Sequence, residues 1–137
     1  MLVVEYDGTD YRGFQIQPGV PTVQQELELA LLRLTGEGTR VNAAGRTDAG
    51  VHATGQVVNF HTSSALAASG FLRAMNSLLP PDIAVVAAME VGPEFHARFS
   101  ARSREYTYRI LNRAAKPAIG RQYVYHYRRR LDLVQMQ

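Results

Sequence analysis

The order of the periodic segments constrains the fold of this chain more than any other feature. Short segments rich in β-branched and apolar residues predict strands, and two segments between them carry apolar residues at helical spacing. The predicted strands of this part are 2–6, 40–44, 55–62 and 83–91. The resulting order, strand-helix-strand-strand-helix-strand, is that of the split βαβ or ferredoxin-like arrangement. We therefore predict an α+β protein with an antiparallel sheet and two helices on one face.

Both predicted helices have end signals in the sequence. Thr22 is predicted to cap the first helix, Gln25 three residues later completes a capping box, and Gly36 ends the helix. The second helix is predicted over 64–79, where two consecutive prolines follow. Each helix has one apolar face, which is predicted to cover the sheet.

Strict alternation returns between Ala101 and Leu111 and predicts a further strand with one polar and aromatic side. The residues on that side are Arg102, Arg104, Tyr106, Tyr108 and Ile110. Residues 122–127 are predicted to form another strand. The last residues, 131–137, resemble the start of a helix, so the chain is expected to be a fragment.

Composition limits the class of protein. A chain of 137 residues with 46% hydrophobic residues is long enough to bury one ordinary core. The absence of cysteine excludes disulfides, cysteine-ligated zinc and thiol catalysis. No apolar run approaches the roughly 20 residues that cross a bilayer, and no signal-peptide pattern is present, so we expect a cytoplasmic protein.

Charge is distributed unevenly along the chain. Residues 1–94 contain five arginines and ten acidic residues, whereas residues 95–137 contain ten basic and two acidic residues. The balances are therefore −5 and +8. Arginine interleaved with tyrosine suits phosphate pairing and base stacking, which predicts a nucleic-acid partner. A solvated charged surface is the alternative interpretation.

The segment from Gly45 to His52 is the strongest candidate for chemistry. It places one carboxylate, Asp48, between glycines at a break between two predicted strands, with Arg46 two residues away. A neighbouring guanidinium would lower the pKa of that carboxyl and keep it ionised, as a nucleophile requires. A surface turn with an incidental ion pair is the alternative.

Several short segments together resemble the N-terminal half of the tRNA pseudouridine synthase A family. The specific one is Gly-Arg-Thr-Asp-Ala-Gly-Val-His, from Gly45 to His52. The supporting segments follow in family order over nearly the whole chain: 5–9, 13–15, 22–24 with 26–28, 55–57, 78–80, 95–101 and 104–106. The resemblance implies half of the pseudouridine synthase fold, with residues 1–130 as the N-terminal catalytic lobe and 131–137 as the start of a truncated C-terminal lobe.

The resemblance also implies an activity. Members of this family isomerise uridine to pseudouridine at nucleotides 38 to 40 of the tRNA anticodon stem and loop, without a cofactor or a metal. Asp48 matches the family's nucleophile, and Arg46 matches the arginine that occupies the space of the flipped base. Tyr106 matches the tyrosine that stacks on the uracil, and its further role as a proton-accepting base stays open because a free phenol has a pKa near 10.

The remaining candidates are predicted to contact RNA. Phe14 and Gln15 lie in the loop that reaches toward the RNA in the family, although Phe14 is equally compatible with a core position. Arg98, Arg102 and Arg104 are candidates for phosphate contacts, with ordinary surface positions as the alternative.

Family members are about twice as long as this chain and are expected to form homodimers. Two other functions therefore stay open. The chain could bind tRNA without catalysis, or it could be a structural half-domain that dimerises through an uncovered sheet face.

Overall fold

The computed structural model describes residues 1–136 of the protein. The chain divides into two compact units, Met1–Ser103 and the segment from Arg104 onward. Within residues 1–136, no helix is both long enough and apolar enough to cross a membrane.

The first unit contains the predicted series of elements in the predicted order. Their bounds are β1 (Leu2–Tyr6), α1 (Val23–Thr35), β2 (Asn42–Ala43), β3 (Ala53–Asn59), α2 (Ala68–Leu78) and β4 (Ile83–Ala88). The strands form one sheet in the order β2-β3-β1-β4, and all neighbouring strands are antiparallel. Because β3 lies between β1 and β2, the two strands that α1 connects, the unit is a split βαβ arrangement. The α+β fold class is confirmed.

The core lies on one face of this sheet. Alternate residues of the central strand β1 are buried, namely Leu2, Val4 and Tyr6, while Val3 and Glu5 face the other side. The buried face packs in one cluster with residues from both helices, including Val23, Leu27, Ala30, Leu31, Phe71 and Met75. The alternate residues of the strand and the apolar faces of α1 and α2 are therefore buried in one common core.

The first helix begins where the sequence predicts, but its capping box is absent. Thr22 has the extended backbone of an N-cap residue, yet its side chain makes no capping hydrogen bond. The hydroxyl of Thr22 is buried and lacks a hydrogen-bond partner in the described part of the chain. The next residue but one, Gln24, is also buried and accepts a hydrogen bond from the Ile16 N–H at 3.2 Å. Packing of this turn against the core therefore takes precedence over the predicted cap.

The second helix is shorter than the predicted range of 64–79. Residues 62–66 are held in a non-helical path, in part because the Glu37 carboxylate accepts hydrogen bonds from Thr62 and Ser63. The helix ends as predicted, since Leu79 precedes a proline and has an extended backbone. The strand bounds also differ from the predicted ones by a few residues at several ends, as is usual where hydrogen-bonded partners decide the last pair.

The predicted strand over Ala101–Leu111 is wrong for most of its length. Only Ile110–Asn112 forms a strand (β5), which pairs in parallel with β6 (Tyr125–Tyr127). Residues 102–109 are all exposed and have no regular structure. Their alternation of arginine and tyrosine offers no apolar face to bury, and a strand without such a face or a partner is not stable.

The second unit is otherwise built from turns. The predicted strand 122–127 is confirmed in its second half, which is β6, whereas a short 3-10 helix (Arg121–Tyr123) takes the place of its first residues. Residues 131–136 are not helical: 133–136 form a turn, and Asp132 accepts a hydrogen bond from the Val134 N–H. Gln137 lies outside the described residues. The predicted lobe boundary after residue 130 stays a prediction.

Candidate functional site

The loop between β2 and β3 carries the candidate nucleophile. Asp48 and Arg46 both lie on this loop with exposed side chains. The loop reverses direction just after Asp48, where the Val51 N–H donates a hydrogen bond to the Asp48 carbonyl at 3.2 Å. The carboxylate is thus accessible to a ligand.

Thr47, directly before Asp48, is bonded to the last residue of β1 and to the chain that follows this strand. The hydroxyls of Tyr6 and Thr47 lie 2.7 Å apart and share a hydrogen bond. The Phe14 N–H donates to the Thr47 carbonyl at 3.0 Å. Gly13 permits this approach, because it has φ of 101° and a Cβ at that position would lie 2.9 Å from the same carbonyl oxygen. One side chain and one main-chain bond therefore fix the residue next to the carboxylate.

The far end of the loop packs on the turn after β1. A Cβ placed on Gly8 would lie 2.1 Å from the Val51 carbonyl oxygen, so only glycine fits there. The Gly8 N–H lies 3.1 Å from Nδ1 of His52, and the same nitrogen lies 2.9 Å from Asp7 Oδ1. The main chain of the turn at Gly8 therefore lies directly against the main chain of the loop at Val51.

Tyr11 adds a main-chain contact to this end of the loop. Its carbonyl accepts a hydrogen bond from the Gly50 N–H at 3.3 Å. Its hydroxyl instead donates to Asp82 at the start of β4, at 2.8 Å. Burial, followed by the bond to Asp82, raises the pKa of Tyr11 well above its ordinary value, so this phenol stays neutral at physiological pH.

The near end of the loop is fixed by Gln56 of β3. The Gln56 side-chain amide donates to the Gly45 carbonyl at 2.7 Å and accepts from the Gly45 N–H at 3.2 Å. The main chain of Asp48 is thus held on both sides by residues distant in sequence.

The expected ion pair between Arg46 and Asp48 does not form. Within residues 1–136, no nitrogen of Arg46 lies within 4.0 Å of a carboxylate oxygen of Asp48, whereas Arg40 does form such a pair, with Glu28 at 3.7 Å. The arginine is therefore a neighbour of the carboxylate in sequence but not its contact in this conformation. Its predicted role beside a flipped base stays a prediction.

Phe14 is the one candidate whose side chain cannot meet RNA. It is 2% exposed, and its ring packs against Tyr6 with a centroid separation of 6.2 Å. Of the two positions that the sequence allowed for Phe14, the structure shows the one in the core. Gln15, the next residue, is half-buried and keeps part of its surface.

Arg98 is exposed in the turn that follows β4. Its guanidinium carbon lies 5.8 Å from the centre of the Phe99 ring. Buried Asn59 holds this turn, because its amide oxygen accepts the Ala97 N–H at 2.8 Å and its nitrogen donates to the Phe95 carbonyl at 3.3 Å. A buried amide of the first unit therefore positions an arginine that is a candidate for phosphate contact.

The other basic and aromatic candidates lie on the irregular segment. Arg102 is exposed near the end of the first unit. Arg104 and Tyr106 belong to the second unit, and Tyr106 is 62% exposed. Their roles in RNA binding and uracil stacking stay predictions.

The residues that hold the loop received no role from sequence reasoning. Tyr6, Gln56 and Asn59 each act on a segment more than ten residues away along the chain. For Tyr6 and Gln56 the sequence did contain a signal, which is a polar group on the covered face of the sheet. Strand alternation places Tyr6 on the same face as Leu2 and Val4, and it places Gln56 on the same face as Val58. Such polar atoms need partners, but the sequence does not say which.

Two further features lie apart from this loop. A groove of about 420 Å³ lies on the outer side of α1, and none of its lining residues, which include Leu29 and Leu32, belongs to the Asp48 loop. Among residues 1–136, no group of three or more histidine, aspartate or glutamate side chains is arranged to hold a metal ion.

Comparison with known proteins adds independent information. The tRNA pseudouridine synthase family model matches residues 2–100. A protein of Clostridium kluyveri named tRNA pseudouridine synthase A is 49% identical over 96% of this chain and 54% of its own length. Proteins of the same name from Caldicellulosiruptor saccharolyticus and Halalkalibacterium halodurans are 48% and 50% identical, over 56% and 52% of their lengths. The chain thus spans about half the length of the curated relatives it matches.

Proposed function

The chain belongs to the tRNA pseudouridine synthase family, and on that basis we propose that it supplies the nucleophile-bearing lobe of an enzyme that isomerises uridine in tRNA. The observation that carries the proposal is the Asp48 loop: an accessible carboxylate on main chain that is fixed at both ends. The proposed substrate positions are nucleotides 38 to 40 of the anticodon stem and loop.

The proposed reaction balances without an oxidant or a co-substrate. The C1′–N1 glycosidic bond of uridine breaks, the uracil turns within the site, and a bond forms between C5 and C1′. A proton leaves C5 and a proton is taken up at N1, so product and substrate are isomers. Asp48 acts as the nucleophile: its carboxylate bonds to C1′ as the C1′–N1 bond breaks, or adds to C6 of the base, and that bond breaks again before the product leaves, so the carboxylate is regenerated. The exposure of Asp48 on an anchored loop supports this role.

The other candidates fit steps that surround this chemistry. A base must leave its stack to reach Asp48, at a cost of a few kcal/mol, and Arg46 is proposed to occupy the vacated space. Tyr106 is proposed to stack on the uracil. Exposed arginines at 98, 102 and 104 are proposed to hold phosphates, and Gln15 to contact RNA from the neighbouring loop.

The proposal extends to the longer protein. Because the chain spans about half of its relatives, we propose that the active enzyme includes a second lobe, which helps to exclude water from the site. Homodimer formation by that longer protein is proposed from the family resemblance. A location in the cytoplasm is proposed from the sequence pattern of this chain.

Tritium release from tRNA labelled at C5 of uridine tests the role of Asp48. The protein made from the complete reading frame that contains this sequence is compared with Asp48→Asn, which keeps the size of the side chain and removes its charge. We expect release by the unaltered protein and at least about a 1,000-fold lower rate for the variant, because covalent nucleophiles contribute on that order.

Asp10→Asn is the matched control, since Asp10 is also an exposed aspartate on a loop of the first unit. We expect it to retain full release. Equal release by Asp48→Asn and the unaltered protein would remove Asp48 from the mechanism. Salt-sensitive tRNA binding without any release by the unaltered protein would instead favour a non-catalytic RNA-binding module.

A further inference from the structure

The bond between Tyr6 and Thr47 links the centre of the sheet to the residue next to Asp48. Tyr6 is the last residue of the central strand β1 and is 2% exposed. Its hydroxyl shares a 2.7 Å hydrogen bond with Thr47, 41 residues later in the chain. The end of the central strand therefore contacts the residue before Asp48 through a pair of hydroxyl groups.

The ring of Tyr6 makes its hydroxyl a fixed point. It packs against Phe14 and lies in the same core cluster as Val4 and Ile83. A buried phenol ring has few rotamers open to it, so the hydroxyl has one position relative to the sheet. Thr47 is β-branched, and a hydrogen bond to its Oγ1 selects one rotamer of this side chain. That choice restricts the main-chain direction with which the chain enters Asp48.

We propose that Tyr6 is a positioning residue that acts through Thr47 to hold the Asp48 carboxylate in its reactive place. The inference rests on the proposed function, in which Asp48 is the nucleophile. Tyr6 does not touch the substrate in this account. It acts because a nucleophile displaced by about 1 Å can lose roughly 100-fold in rate while substrate binding is unchanged.

Single-turnover kinetics of pseudouridine formation test this claim in the protein from the complete reading frame. Tyr6→Phe removes only the hydroxyl, and Thr47→Val removes the same hydrogen bond from the other side. Each is expected to lower the single-turnover rate about 10- to 100-fold, with KM changed less than about twofold. The double variant should be no slower than the slower single variant, because both changes remove one bond. Thr47→Ser keeps the hydroxyl, so we expect it to retain most of the single-turnover rate of the unaltered protein.

Tyr11→Phe is the matched control. It removes another phenol hydroxyl from the same core, but this hydroxyl bonds to Asp82 rather than to the loop. It should lower the melting temperature about as much as Tyr6→Phe but lower the rate less than about twofold, because the main-chain bond from the Gly50 N–H to the Tyr11 carbonyl stays in place. A rate for Tyr6→Phe equal to that of Tyr11→Phe would overturn the positioning role.

Amide hydrogen exchange separates this inference from the proposed function. The Phe14 N–H is bonded to the Thr47 carbonyl, so its exchange reports on the same anchor. In Tyr6→Phe we expect it to exchange about tenfold faster, relative to the Val4 N–H in the core of β1, than in the unaltered protein or in Tyr11→Phe. If tRNA treated with the unaltered protein contains no pseudouridine, the proposed function alone is refuted. Unchanged Phe14 exchange would then refute the positioning claim.

Discussion

At the scale of single residues, the site depends on close contacts that tolerate no added atom. Gly8 lies against the main chain of Val51, and Gly13 lies against that of Thr47, so two glycines after β1 let this turn approach both sides of Asp48. These contacts explain why segments 5–9 and 13–15 resemble the family as the loop does, although they lie far from the loop in the sequence. The loop's shape is a property of both segments.

Gly8→Ala tests this close approach. The added methyl would meet the Val51 carbonyl oxygen at 2.1 Å, so the main chain of the turn or the loop must move. We expect a loss of about 1 to 3 kcal/mol in the free energy of unfolding, measured by urea denaturation, together with reduced pseudouridine formation. Gly38→Ala is the control because nothing lies within 4 Å of its added Cβ, and its stability should change by less than about 0.5 kcal/mol. Equal free energies of unfolding for the two variants would show that the turn accommodates the added methyl group without loss of stability.

At the scale of elements, periodicity was sufficient for the series β1 to β4 because each element has a face to bury. Leu2, Val4 and Tyr6 alternate, and the apolar residues of α1 recur every three or four positions, so local pattern and tertiary packing agree. The segment 101–109 alternates equally well but has nothing apolar to bury, and there the prediction was wrong. Alternation therefore predicts a strand only when one of its faces has a core to join.

The candidate site divides in the same way. The sequence located the Asp48 loop through its glycines and its charges, which are local signals. It did not reveal Tyr6, Gln56 or Asn59 as anchors, because each forms a contact that exists only once β1 and β3 are in place. The sequence also allowed two positions for Phe14, and burial in the core decided between them.

The link between the end of α1 and the start of the α2 segment is predicted to depend on pH. The Glu37 carboxylate accepts hydrogen bonds from Ser63 and Thr62, and these bonds lower the pKa of Glu37 below its usual value. A carboxyl with a lower pKa in the folded state stabilises the fold above its unfolded-state pKa, and this contribution is lost as pH falls through the folded-state pKa.

Glu37→Gln should therefore lower the melting temperature at pH 7, and the difference from the unaltered protein should shrink steadily below about pH 4.5. Thermal unfolding followed by circular dichroism from pH 7 to pH 3 measures both curves. A difference that stays constant over that range would contradict a role for the charged carboxylate.

At the scale of the whole molecule, charge is separated along the chain. The segment from Arg104 onward contains eight basic and two acidic residues, a balance of +6, whereas residues 1–94 have a balance of −5. The exposed aromatic residues of that segment include Tyr106, Tyr108 and Tyr125. Cations interleaved with exposed rings suit RNA, whose phosphates pair with arginine and whose bases stack on tyrosine.

The salt dependence of tRNA binding tests this distribution. A phosphate contact contributes about 0.7 to 0.9 to the slope of log K against log salt concentration. Arg102→Ala and Arg104→Ala should each reduce the slope by roughly 1, measured by fluorescence anisotropy at several salt concentrations. Arg73→Ala, an exposed arginine on α2 in the acidic part of the chain, should leave the slope unchanged. Equal slopes for all three variants would place the RNA elsewhere.

We expect the anchored loop to present Asp48 to an extruded uridine of the anticodon stem and loop. Position-resolved mapping of pseudouridine in tRNA treated with the protein from the complete reading frame tests it most directly. We predict pseudouridine at one or more of nucleotides 38 to 40 with the unaltered protein and none there with Asp48→Asn. Pseudouridine at those nucleotides with both proteins would contradict the account.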